Sequence, residues 1–311
     1  MVEFDNGNCL FKDPIYALHC NREDGVLAII INVDGPSYRP IGAFMAIFEN
    51  GHKVGTLSSG CIESDLIMQS KSVLKSGLPF KILYGRGSPF IDLHLPCGGG
   101  LEILLVPRPD KAILAEIDGK RVNRVACTLV VNCTTGDLTI SDLGETGPMG
   151  QSFQIRLEPD IFFYVFGKGP EASTFCSLVQ SAGYPNHLFS PDAETIKAAE
   201  ISGCNTTFLK SARIPQEVIP DEWSAIILFF HDHDWEPKIL KRALETPAFY
   251  IGAQGSQLAR DARQQEMLML GVKKTALQRL NGPIGLIPSA RDARTLAVSV
   301  MAEVLNVANC D

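Results

Sequence analysis

Ile161-Phe162-Phe163-Tyr164-Val165-Phe166-Gly167-Lys168-Gly169-Pro170-Glu171-Ala172 is the stretch on which the fold turns. A continuous apolar run forms a buried strand and passes through G-x-G-x-x-A into a helical segment, Pro170–Ala182, that stops at Gly183. Strand, glycine turn and helix in that order are the context of a dinucleotide-binding crossing. Gly167 permits the tight turn, Gly169 lets the backbone approach a phosphate, and Ala172 lets the helix pack on the strand. The helix start offers N–H groups and a positive dipole end to an anion. In a NAD site the second strand ends in an acid that holds the ribose hydroxyls. Here Asn186–Ser190 ends in serine, and the nearest acid, Asp192, lies beyond Pro191. Gly167 and Gly169 therefore read either as a nucleotide site or as a fold element alone. Tyr164 and Lys168 have short-chain dehydrogenase spacing, but they lie in the strand and turn rather than on a helix. Walker A, G-x-S-x-G and H-E-x-x-H patterns are absent.

Towards the C-terminus, strands continue to alternate with helices. Ala225–Phe230 and Ala248–Ile251 read as strands, Ser256–Leu270 as a helix capped by Ser256 and closed by Gly271, and Ala290–Leu305 as the last helix. That alternation predicts a parallel, doubly wound sheet. Towards the N-terminus the pattern changes. Val26–Val33 is a continuous strand-type run, and Ala43–Phe48 and Val54–Leu57 flank Asn50-Gly51, a strong hairpin signal. Ile62–Leu74 has helical spacing, Phe80–Tyr84 and Leu101–Val106 flank the glycine-rich Gly85–Gly100, and Val125–Asn132 pairs with Leu138–Ile140 around Thr135-Gly136-Asp137. The expectation is an α/β chain in two parts: a mixed α+β domain over residues 1–150, then a Rossmann-type doubly wound parallel-sheet domain over 160–311. Gly144–Pro159, punctuated by Gly and Pro, reads as the boundary.

Composition narrows the function classes. The chain has 311 residues, 45% hydrophobic and 20% charged, enough to bury a full core. Its net charge of −7, with Lys and Arg scattered, argues against nucleic acid or an anionic membrane as partner. The longest apolar runs are far short of the roughly 20 residues of a membrane span. Met1–Asn6 is acidic and polar, unlike a signal peptide, so a cytoplasmic location is expected. Nine cysteines with no C-x-x-C pair fit free thiols in a reducing compartment.

Two of those cysteines stand in glycine-rich turns. Cys61 follows Ser58-Ser59-Gly60 at the start of a helix, where the dipole favours a thiolate able to act as nucleophile or soft metal ligand. Cys97 precedes Gly98-Gly99-Gly100, whose backbone can form an N–H concavity for anions. Glu63 reads as a local acid or a first-turn carboxylate. In the second half, His231-Asp232-His233-Asp234 follows a strand at the carboxyl edge of the sheet, where open α/β folds bind ligands. Gly252-Ala253-Gln254-Gly255-Ser256 is a second strand–turn–helix crossing at that edge. Arg260 and Arg263, further along its helix, read as anion contacts or, more simply, as solvated helix-face residues. His19, His52, His94 and His187 are isolated and carry no assigned role.

Asp34-Gly35-Pro36-Ser37-Tyr38-Arg39-Pro40-Ile41-Gly42-Ala43-Phe44-Met45, Gly55-Thr56-Leu57-Ser58-Ser59-Gly60-Cys61-Ile62-Glu63 and Pro96-Cys97-Gly98-Gly99 resemble three successive signatures of the XdhC/CoxI family, the accessory factors of xanthine and CO dehydrogenases. His231-Asp232, Tyr250–Ser256 and Gly282-Pro283-Ile284-Gly285-Leu286 extend the resemblance, which spans roughly residues 14–305. The chain departs from the family pattern at Ser59, at Lys168 and Pro170, and at Ser190. The resemblance implies a non-catalytic maturation factor that binds and shields molybdenum cofactor (molybdopterin), supports its sulfuration by a cysteine desulfurase, and delivers it to a xanthine or CO dehydrogenase-type molybdoenzyme. A homodimer is implied as well. Cys61 and Cys97 would then ligate the metal, with Arg39, Gly60, Glu63, Gly98 and Gly99 around the cofactor. Gly167, Gly169, His231, Gly252, Gly255 and Ser256 would form the ligand-facing edge of the Rossmann domain. Two alternatives stay open: an NAD(P)-dependent oxidoreductase built on the Rossmann domain, with His231 as proton-transfer residue, and a thiol enzyme using Cys61 and Cys97.

Overall fold

The apolar runs are buried on both faces, and that dictates layers. A computed structural model describes residues 13–88, 98–141, 144–230 and 234–309. They divide into two compact units that part between Pro159 and Asp160.

In the first unit, α1 (Pro14–Cys20) starts with Asp13 accepting the Tyr16 N–H at 3.0 Å and with proline at its first position, where the missing donor costs nothing. β1 (Gly25–Asp34), β2 (Phe44–Phe48), β3 (Lys53–Val54), β4 (Phe80–Gly85) and β5 (Gly100–Pro107) form an antiparallel sheet in the order β3-β2-β1-β5-β4. β1 lies at its centre. One face (Val26, Ala28, Ile30) packs under α2 (Glu63–Ser76) through Leu66, Val73 and Leu74. The other face (Leu27, Ile29, Ile31) packs on α1, on α3 (Lys111–Val122) and on a second sheet. That second sheet, β6 (Cys127–Asn132), β7 (Leu138–Ser141), β8 (Gly147–Met149) and β9 (Ser152–Leu157), is antiparallel in the order β7-β6-β9-β8.

Here the structure differs from the sequence reading. Most of Gly144–Pro159 is not a linker: Phe153, Ile155 and Leu157 alternate inward from β9 and are buried. The Gly and Pro residues belong to the turns and the edge strand β8.

In the second unit, β10 (Phe162–Gly167), β11 (Asn186–Ser190), β12 (Asn205–Phe208), β13 (Ser224–Phe229), β14 (Tyr250–Ala253) and β15 (Leu280–Asn281) form one parallel sheet in the order β12-β11-β10-β13-β14-β15. This is the Rossmann strand order. α4 (Pro170–Ser181), α5 (Ala193–Ile201) and α9 (Ala293–Ala308) contribute to one core with Phe163, Val165 and Phe229. α6 (Glu236–Ala243), α7 (Gln257–Met269) and the short α8 (Lys274–Leu277) contribute to the other with Tyr164, Phe166 and Leu228. Alternating strand residues feed opposite layers, so the sheet is doubly wound.

Candidate functional site

Antiparallel pairing brings three loops to one end of the first sheet. Asp34 at the end of β1 pairs with Gly100 at the start of β5, which pairs with Gly85 at the end of β4. A Cβ at Gly55, just after β3, would sit 3.2 Å from the Phe44 carbonyl at the start of β2. The segment 35–43, the loop 55–61 and the residues flanking the third signature therefore emerge together.

The loop carrying Cys61 is shaped by backbone that few residues tolerate: Ser59 has φ 61° and Gly60 has φ 109°. It is braced from below by Glu63, which is 2% exposed. One carboxylate oxygen accepts from the Leu57 and Ser58 N–H groups at 3.1 and 2.9 Å and from the Thr56 hydroxyl at 2.5 Å. The other accepts from the Ser58 hydroxyl at 2.6 Å and from the Gly60 and Ile62 N–H groups at 2.9 and 3.3 Å. Burial alone would raise the carboxyl pKa, but the bonds from Ser58 and Thr56 outweigh it and bring the pKa to about 2. Glu63 is thus a fixed anion that organises the loop, with both carboxylate oxygens engaged by it. α2 begins at Glu63, so Cys61 lies outside the helix and the nearby N–H groups point at Glu63 rather than at the thiol. What distinguishes Cys61 is presentation: Ser59, Gly60 and Cys61 are all exposed on a rigid turn.

Cys97 lies outside the described residues. Its neighbour Gly98 has φ 71° and open space where a Cβ would stand. A Cβ at Gly99 would come within 2.2 Å of the Pro36 carbonyl, so only glycine lets the third signature lie against the first. Arg39 is exposed and, with Gly55 and Thr56, lines a groove of about 490 Å³. The structure therefore brings Arg39, Gly99 and the Cys61 loop to one end of the unit.

In the second unit a side chain of the next helix closes on the glycine turn. A Cβ at Gly167 would meet the Phe229 carbonyl at 2.6 Å. Gly169, at φ 90°, donates its N–H to the Thr195 hydroxyl at 2.8 Å, and Thr195 donates onward to Asp192 at 2.5 Å. Pro170 has no N–H. Asp192 caps α5, and the bonds from Thr195 hold its carboxyl below the usual range. The turn has the fold's shape, while the Gly169 N–H at its helix start is already bonded and Pro170 offers none.

Gly252 packs beneath Tyr250 and Ile284, and Ser256 caps α7 through the Ala259 N–H. Gly255, at φ 149°, lies against Arg263. Arg263 corrects the sequence reading: it is 4% exposed, it forms two bonds to the buried Glu236 carboxylate at 3.0 and 3.2 Å, and it donates to the Gln254 carbonyl at 2.6 Å. It ties the start of α6 to the second crossing, a role invisible in sequence because its partner lies on another helix. His231 lies outside the described residues. Among the described residues no cluster of three or more His, Cys, Asp or Glu side chains is arranged for a metal, and no helix is long and apolar enough to cross a membrane.

A Rossmann unit following an antiparallel unit with an exposed cysteine on a braced loop defines a two-part α/β architecture. The chain belongs to the XdhC and CoxI family. The model described as the XdhC and CoxI family matches residues 19–85, and that of the XdhC Rossmann domain matches residues 163–304. It is similar to the molybdenum cofactor insertion chaperone PaoD of Escherichia coli, 31% identical over 97% of this chain and 89% of that one. It is also similar to a Bacillus subtilis protein named as a probable xanthine dehydrogenase subunit, 24% identical over 95% of this chain and 96% of that one. In fold it resembles a crystal structure titled as a xanthine dehydrogenase from Bacillus halodurans, with a TM-score of 0.77, 21% identity and 94% of each chain covered.

Proposed function

We propose that this chain is a molybdenum cofactor carrier and insertion chaperone, not an enzyme, serving a xanthine dehydrogenase-type molybdoenzyme. The cofactor is its cargo. The observation that carries the reading is the exposed Cys61 on a loop pre-shaped by Glu63, at the end of the sheet where Arg39 and Gly99 also lie. A soft thiolate on a fixed turn suits a molybdenum centre that must be held and then released. Cys97 is the second ligand in this reading. Support of sulfuration through a cysteine desulfurase, a homodimer, a cytoplasmic location and a division of labour between residues 1–150 and 160–311 belong to the same proposal. The similarity to a relative named as an insertion chaperone supports it.

The test is cofactor retention in protein purified from cells that make the cofactor, read as fluorescent pterin after oxidation. Cys61→Ala should lower bound pterin by at least about tenfold, the scale of losing a metal-centre contact. Because Cys61 is exposed, its melting temperature should not move. Cys127→Ala, buried in the core of the same unit, should lower the melting temperature and leave pterin per folded molecule unchanged. Full retention by Cys61→Ala would remove the cysteine from the site.

A further inference from the structure

We infer that the groove beside the Cys61 loop is a recognition site for a phosphate monoester, built from Arg39, Arg121 and Arg156. The inference rests on the cargo reading in naming which end of the cofactor binds there. The three arginines are far apart in sequence and come from three elements: the loop after β1, the last turn of α3, and β9. They line one groove of about 490 Å³, a volume suited to a small-molecule ligand. One acid, Asp13, lines it with them. In a chain of net charge −7 this is a local reversal of sign.

The side chains are set for an oxyanion. Arg121 is held by Asp13 at 2.6 Å, which fixes its fork. Arg156, which lines the groove, donates through Nε to Glu158 at 2.5 Å, and its two terminal amino groups make no bond among the described residues. Arg39 makes no ion pair among the described residues. The Thr146 hydroxyl accepts the backbone N–H of Arg156 at 3.0 Å and keeps its own proton to donate. The floor is tight: Gly42, at φ 84°, has no room for a Cβ, which would meet the Thr146 methyl at 2.6 Å. Planar guanidinium forks match the geometry of a phosphate dianion, and partial enclosure strengthens each contact. Pro14 and Phe44 give the groove an apolar wall, so it fits a ligand with a flat ring at one end and a phosphate at the other. Gly55 and Thr56, at the head of the Cys61 loop, line the same groove. One loop thus links the anion site to the thiol, and the cargo is gripped at both ends.

The test uses calorimetry on the full chain with three probes: a hydroxymethylpterin phosphate monoester, the same pterin without phosphate, and inorganic phosphate. Wild type should bind the monoester at least about tenfold more tightly than the bare pterin, as losing a charge-assisted contact implies. The Arg39→Gln/Arg156→Gln double variant should reduce that preference to within about twofold at unchanged melting temperature. Arg22→Gln, an exposed arginine elsewhere, should leave it intact. Equal binding of the two pterins by wild type, or an undiminished preference in the double variant, overturns the groove assignment while leaving Cys61 to the retention assay. If neither pterin binds, the cargo reading still rests on the retention assay, because these probes lack the metal centre that Cys61 would hold, and inorganic phosphate decides the groove. Salt-sensitive phosphate binding lost in the double variant upholds an oxyanion site, and no phosphate binding sinks it.

Discussion

A single carboxylate decides the geometry around Cys61. Glu63 gathers donors from Thr56, Leu57, Ser58, Gly60 and Ile62, so its removal would strand them in a buried site. Its folded pKa of about 2 against an ordinary 4.5 corresponds to on the order of 3 kcal/mol. The sign follows from the depressed value: the contribution is present above pH 4.5 and is lost as pH falls through the window towards 2. Glu63→Gln should therefore destabilise the first unit at neutral pH and flatten its acid limb over that window, as read by denaturant titrations at several pH values. A variant whose acid limb matches wild type would show that Glu63 does not brace the loop. Sequence made Cys61 conspicuous because it follows Ser58-Ser59-Gly60 just before a helical segment. It hid the brace, since Thr56, Ser58 and Glu63 look like ordinary turn and helix-start residues. Cys97, marked by its glycine-rich turn, and His231, marked by its place after a strand, lie outside the described residues.

At the scale of elements, continuous apolar strands were the legible part. β1, β10 and β13 are buried on both faces, and such strands announce themselves as unbroken runs. β9 was obscured: its Phe153-x-Ile155-x-Leu157 alternation sits among Gly and Pro residues that belong to neighbouring turns. The seven-residue α1 gave too few periodic turns to stand out, and Gly119 interrupts the apolar spacing of α3, although both pack into the core shared by the two sheets. The glycine turn was legible as a crossing, but its chemistry depended on Thr195, a residue of the next helix. From that contact the turn is expected to take no dinucleotide. Calorimetry with NAD, NADP and AMP should give no binding heat, and heat from any of them would show the Gly169 donor to be available. Thr195→Val should cost about 1–3 kcal/mol, because the Gly169 N–H loses its acceptor and Asp192 a donor.

At the scale of the whole molecule, the two units carry separate cores and separate acid-sensitive groups. In the second unit His187 is buried, stacks on Phe189 and bonds the Thr207 hydroxyl at 2.8 Å. Burial pushes its pKa down from 6.5 to about 4. A buried base held neutral stabilises fully above pH 6.5, and that stability is lost as pH falls towards 4, because the unfolded chain then binds the extra proton. The loss is on the order of 3 kcal/mol. Glu63 loses its contribution only below 4.5, so acid should weaken the second unit before the first. Both tryptophans, Trp223 and Trp235, belong to the second unit, which makes their fluorescence a reporter of it alone. In mild denaturant, acidification should move the tryptophan signal between pH 6.5 and 4 while part of the far-ultraviolet circular dichroism persists to lower pH. His187→Gln should shift the start of the tryptophan transition to lower pH and leave the later phase in place. Superimposable tryptophan profiles for wild type and variant would assign the acid sensitivity of this unit to other groups.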